Sequence, residues 1–156
     1  MEKNYTLSLL PAEDKFSLIT EKEINLCEVL ASCHHPKAGA VVLFSGEVRN
    51  HSFSQTVSYL FYEAYVSLAE KMIREITKAA EQKFKLHKAV CIHRIGKLEV
   101  GESAVVVVTV SSHRKEAYEA NKYIIDRVKH EAPIWKEEHF EDGSIIWGDN
   151  CGCGKH

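Results

Sequence analysis

The sequence predicts an α+β fold. A run of β-branched residues at 104–110 (AVVVVTV) fits only a buried central strand. Two segments, 69–84 and 117–128, carry apolar residues at helical spacing. The order of elements, roughly β-α-β-β-α-β-β-α-β-β, has no internal repeat and no low-complexity linker. One domain over residues 1–150 and a Cys/Gly-rich tail over 151–156 follow from this pattern.

Each element has a local reason. Residues 5–10 alternate weakly, as a short edge strand stopped by Pro11. Thr20 and Glu23 have capping-box spacing, so a helix of about three turns is expected over Ile24, Leu26, Val29, Leu30 and Ala31. His34-His35-Pro36 ends it. Residues 38–48 form a strand that is apolar on both faces and runs into a polar loop at 49–52. Strand character resumes over 57–65. Ser67 and Glu70 make a second capping box, and Ala69, Met72, Ile73, Ile76, Ala80 and Phe84 keep helical spacing to about Lys85. Residues 89–95 read as a strand with Gly96 as a turn. After the valine run, residues 111–114 open a helix whose buried face is Ala117, Ala120, Ile124 and Val128, ending near Glu131. Pro133 forbids more helix. Residues 134–140 and 144–147 then pair across an Asp142-Gly143 turn.

Composition excludes several classes of function. Twenty Lys and Arg against 22 Asp and Glu give a net charge of −2, so bulk charge favours neither nucleic acid nor an anionic membrane. Any anionic ligand must be held by a local basic cluster. No stretch approaches the roughly 20 apolar residues of a membrane span. Residues 1–5 lack the features of a secretory signal. The five cysteines are odd in number and have no scaffold rhythm, which favours the reducing cytoplasm.

The clearest candidates for chemistry are basic. His113 and Arg114 stand where a buried strand gives way to a helix, and unpaired N–H groups there add to an imidazole and a guanidinium. The bland reading is a solvated helix start. Arg49 follows a strong strand, a rigid platform for a binding side chain, and reads otherwise as an exposed loop residue. Lys129 and Lys136 flank the helix breaker. A lysine in a partly apolar setting can act as a base or nucleophile, although a lysine near a helix C-terminus is also explained by the dipole. Strand alternation puts Lys136 and Trp135 on opposite faces. Cys151, Cys153 and His156 give three soft ligands, too few for a structural zinc site, and read as incidental. Cys27, Cys33 and Cys91 read as core fillers. No phosphate loop, dinucleotide fingerprint or serine triad appears, so neither a cofactor nor a metal is expected.

Five short motifs stand in order: FSGEVRNH at 44–51, YEAY at 62–65, HRIG at 93–96, SSHR at 111–114 and KHEAPIWKEE at 129–138. In these the chain, from about Ala38 to Trp147, resembles the large subunit of molybdopterin synthase, the MoaE family. The resemblance implies an α/β hammerhead-like domain with an additional antiparallel sheet. It implies sulfur transfer from the thiocarboxylated C-terminal Gly-Gly tail of a small ubiquitin-like subunit to cyclic pyranopterin monophosphate, giving the molybdopterin dithiolene. It also implies a homodimer of large subunits within a heterotetramer, with each active site drawing on both copies. Arg49, His113 and Arg114 match positions that hold the pterin. Lys129 and Lys136 match the two lysines nearest the chemistry, with Glu137 and Glu138 beside the substrate. Lys129 is expected nearest the thiocarboxylate and Lys136 to transfer protons. Glu47 departs from the small or basic residue usual there, so only its backbone and that of Val48 are expected to touch substrate. Two rival readings are a non-catalytic module that binds a Gly-Gly tail and a metal-delivery protein using Cys151, Cys153 and His156.

Overall fold

The computed structural model describes residues 18–149. The expected strand at 5–10 and the Cys/Gly tail lie outside them.

Valines build the centre of the molecule. Strand β7 (Ser103–Ser111) lies between β2 (Ala40–Glu47) and β5 (Lys88–Arg94), both antiparallel to it, and two-residue β1 (Ile19–Thr20) joins β5 in parallel. Val105 and Val107 face one cluster, with Ala69, Ile73, Ile76 and Ala80 of α2 (Val66–Phe84) and Ile124 and Val128 of α3 (Arg114–Glu131). Val106, Val108 and Val110 face a second, with Ile24, Cys33 and Val29 of α1 (Leu26–Ala31). A strand covered on both faces needs an apolar residue at every position, which is why the run does not alternate. Two buried polar groups tie α3 to this sheet. The Thr109 hydroxyl donates to the Ala117 carbonyl at 2.6 Å, and the Asn121 amide donates to the carbonyls of Val42 at 3.1 Å and Val107 at 3.0 Å. Both are satisfied, so their burial carries no desolvation penalty of an orphaned group.

The second sheet is built on β4 (Gln55–Ala64). Its one edge pairs antiparallel with β8 (Ile134–Phe140), which in turn pairs with β9 (Ile145–Asp149). β3 (His51–Ser52) and β6 (Gly96–Glu99) also pair with β4. The chain passes from this sheet to the first through α2 and returns through α3. Gly96, with φ +88°, lets the chain leave β5 and enter β6 directly, a left-handed conformation that a side chain would strain.

Several local expectations are corrected. Thr20 caps no helix: parallel pairing with Arg94 draws it into β1, and its hydroxyl accepts from Lys22 N–H at 3.1 Å. α1 starts later and is six residues long, capped by Asn25, whose side chain accepts from Glu28 N–H. Ser67 likewise lies inside α2, whose N-cap is Tyr65 without a side-chain bond. Pairing of Glu63 and Ala64 with β8 carries the strand up to the helix and leaves no room for a separate cap. Residues 49–52 are not all loop, and Gly96 opens a strand. Cys27 is exposed, whereas Cys33 and Cys91 are buried.

Candidate functional site

A cavity of about 200 Å³ opens where the two sheets meet. β2 contributes Phe44, Gly46 and Glu47 to its lining, and the following turn Arg49. His51 and Ser52 come from β3, Val57, Leu60 and Tyr62 from β4, and Ala104 and Val105 from β7. Lys129 reaches it from the last turn of α3, and Lys136 and Glu138 from β8. Gly46 is required by close approach, because a Cβ there would stand 2.8 Å from Val105 Cγ1. A bulge between Gly46 and Glu47 re-aims the end of β2 at the cavity rim.

Strand alternation sorts the acidic and basic groups of β8. Lys136 and Glu138 point inward, and their side chains pair at 3.3 Å. Glu138 is only 5% exposed and also accepts from Ser52 Oγ, at 3.3 Å to each carboxylate oxygen. Trp135, Glu137 and His139 take the opposite face, where Glu137 and His139 pair at 2.8 Å and His139 stacks on Tyr59. Three cations, Arg49, Lys129 and Lys136, thus converge on a cavity with two carboxylates, one of them already paired.

Two buried acids surround this cluster in neutral form. Burial, then the negative charge of Glu138, pushes the Tyr62 phenol up to about 12. Burial also pushes the Cys91 thiol up to about 12, against the opposing influence of the Lys129 charge. Cys91 therefore stays a protonated thiol and is no nucleophile at neutral pH.

The residues expected at a site divide into two places. Arg49, Lys129, Lys136, Glu47 and Glu138 share the cavity. Glu137 does not, because alternation turns it away. Val48 is buried and outside the cavity lining; its N–H donates to the Glu102 carbonyl at 3.0 Å and its carbonyl accepts from Gly101 N–H at 2.8 Å. His113 and Arg114 are exposed at the other end of α3. Fifteen residues of helix separate Arg114 from Lys129, about 22 Å at 1.5 Å per residue. His113 is the N-cap of α3, with no side-chain cap bond.

Sequence reasoning missed His51, Ser52 and Tyr62. Tyr62 had a usable signal, since it is in phase with Leu60 on a strand. Ser52 had none, because its place depends on a two-residue hairpin. Among the described residues no group of three or more His, Cys, Asp or Glu side chains could hold a metal ion. Also among them, no helix is long and apolar enough to cross a membrane.

Comparison with known proteins adds independent findings. The family model described as "MoaE protein" matches residues 19–131. A molybdopterin synthase catalytic subunit from Thermoplasma volcanium is 42% identical over 129 residues, covering 83% of this chain and 94% of the relative. One from Bacillus subtilis is 42% identical over 131 residues, covering 84% and 83%. The crystal structure of molybdopterin synthase from Staphylococcus aureus superposes with a TM-score of 0.79 at 37% identity, covering 83% of this chain and 94% of that one.

Proposed function

The chain belongs to the MoaE family, and from that premise we propose that it is the sulfur-transferring catalytic subunit of a molybdopterin synthase. It is an enzyme of molybdenum cofactor biosynthesis. In this reading the substrate is cyclic pyranopterin monophosphate. The donor is the thiocarboxylated C-terminus of a small ubiquitin-like subunit, and the product carries the dithiolene. The reaction takes place in the cytoplasm. The observation that carries the reading is the convergence of Arg49, Lys129 and Lys136, from three separate elements, on one cavity.

The chemistry suits that convergence. Sulfur attack and opening of the cyclic phosphate both build negative charge on oxygen, and fixed cations stabilise such charge more strongly where water is excluded. Arg49 holds the phosphorylated pterin. Lys129, at the end of α3, is the group nearest the thiocarboxylate. Lys136, already paired with Glu138, moves protons during loss of water and release of the spent carboxylate. The partner's terminal glycines let a tail enter a narrow channel. The relatives' designation as catalytic subunits supports a second kind of subunit.

His113 and Arg114 lie too far along α3 to reach the same ligand from the same copy. They complete the site from a second copy of the chain, within a heterotetramer of two large and two small subunits. The direct test is reconstitution from purified chain, pterin precursor and thiocarboxylated small subunit. Product should form, and Lys129→Ala should lower the rate on the order of 100-fold or more while leaving urea unfolding unchanged. A fully active, folded Lys129→Ala protein would remove Lys129 from the mechanism.

A further inference from the structure

We propose that Ser52 is a positioning residue for Lys136, acting through Glu138, and that the β3–β4 hairpin is the device that holds its hydroxyl in place. The inference rests on the reading of Lys136 as a proton-transferring group.

Glu138 is an almost fully buried carboxylate, and a buried anion must be met by donors. Lys136 and Ser52 meet it, from separate parts of the chain. The Lys136 ammonium lies 3.3 Å from Oε1, two residues away on the same strand face. The Ser52 hydroxyl lies 3.3 Å from both oxygens, across 86 residues of sequence. A lysine has a long flexible stem, so pairing with a neighbour on its own strand does little to fix where its charge sits. The second contact restricts that freedom. The Ser52 hydroxyl shares its one proton between the two carboxylate oxygens, which favours one orientation of Glu138 and so one point at which Lys136 finds its partner.

The hairpin is built to deliver that hydroxyl. Ser52 pairs with Gln55, leaving Phe53 and Ser54 as a two-residue turn with φ of 48° and 60°. Both central residues are left-handed, the type I′ pattern that favours Asn-Gly, yet neither is glycine or asparagine. Strained backbone of this kind persists only where the surroundings over-determine it. Here the surroundings include a contact from the residue just before the turn to a buried acid in the cavity.

The test compares wild type, Ser52→Ala and Ser52→Thr in the assembled synthase, with kcat, KM and the pH profile of kcat as readouts. Ser52→Ala is expected to lower kcat about tenfold with KM within about twofold. The pH profile of its kcat should differ from that of wild type, because Lys136 no longer meets a carboxylate held by a second donor. Ser52→Thr keeps a hydroxyl and should recover to within about threefold of wild type. Equal kcat and an unmoved profile in Ser52→Ala would overturn the proposal. A second measurement needs no turnover: the two ε-methylene proton signals of Lys136, recorded at one fixed pH in the chain alone, should be distinct in wild type, merge in Ser52→Ala as the side chain gains freedom, and separate again in Ser52→Thr. Unchanged signals in Ser52→Ala overturn the proposal even if the wild-type assembly makes no product, an outcome that would count separately against the sulfur-transfer reading.

Discussion

Tyr62 and Cys91 show how much of the site's character is set by what surrounds a single side chain. Each is an acid whose proton the folded state keeps longer than the unfolded chain does. Their folded values near 12 stand above ordinary values of 10 and 9. The unfolded state therefore releases protons first as pH rises, and stability falls with pH. The window opens near pH 9 for Cys91 and near pH 10 for Tyr62, and closes near 12. A shift of two units corresponds to roughly 3 kcal/mol at most for Tyr62. Urea unfolding between pH 8 and 11 should show this decline, with a shallower slope between 9 and 10 in Cys91→Ala. An identical slope in that variant would show that Cys91 ionises freely in the folded protein. The same scale explains what the sequence made legible of the site. Arg49, Lys129 and Lys136, which line the cavity, are legible because motifs carry them. Glu137 and Glu138 are adjacent, and simple alternation from Lys136 already separates them: Glu138 shares the lysine's face and Glu137 does not. Ser52 was invisible because nothing in the local composition says which carboxylate a hydroxyl will meet across 86 residues.

Among the elements, those with many repeats of their own period were readable, and those that exist only through pairing were not. α2 and α3 announce themselves by apolar spacing over 19 and 18 residues, and β7 and β8 by β-branched content and the proline before β8. β1, β3 and β6 are two to four residues long and have no signal apart from the strands they join. The two capping boxes misled for different reasons. Pairing with β5 holds Thr20 extended, outweighing a local preference of about 1 kcal/mol, whereas α2 begins one residue before Ser67, directly after β4 ends at Ala64. The β3–β4 turn offers a direct test of that balance. Left-handed geometry at Ser54 costs about 1–2 kcal/mol, and a glycine would relieve it while adding roughly 0.5–1 kcal/mol of unfolded-state entropy. Ser54→Gly should therefore stabilise the protein slightly, by up to about 1 kcal/mol in urea unfolding. A clear loss of stability would mean that the Ser54 side chain contributes something the turn geometry does not reveal.

At the scale of the whole molecule, the matched basic residues form two groups at opposite ends of one helix. If a complete site takes Lys129 from one copy and Arg114 from another, two inactive variants can repair each other. A mixed dimer of Lys129→Ala and Arg114→Ala subunits has one doubly damaged site and one intact site. Random mixing makes about half the dimers mixed, so the mixture should recover about a quarter of wild-type activity. No recovery, with exchange of subunits verified by mass, would place each site within a single chain. Because α3 spans the distance between these groups, its length is part of the specification. Deleting one residue from its middle would turn Lys129 through about 100° relative to Arg114 and draw it back 1.5 Å, swinging the amine off its cavity. Length changes in this chain are consequently affordable in the exposed Asp142-Gly143 bend, which contributes nothing to the cavity lining, and forbidden inside the helix.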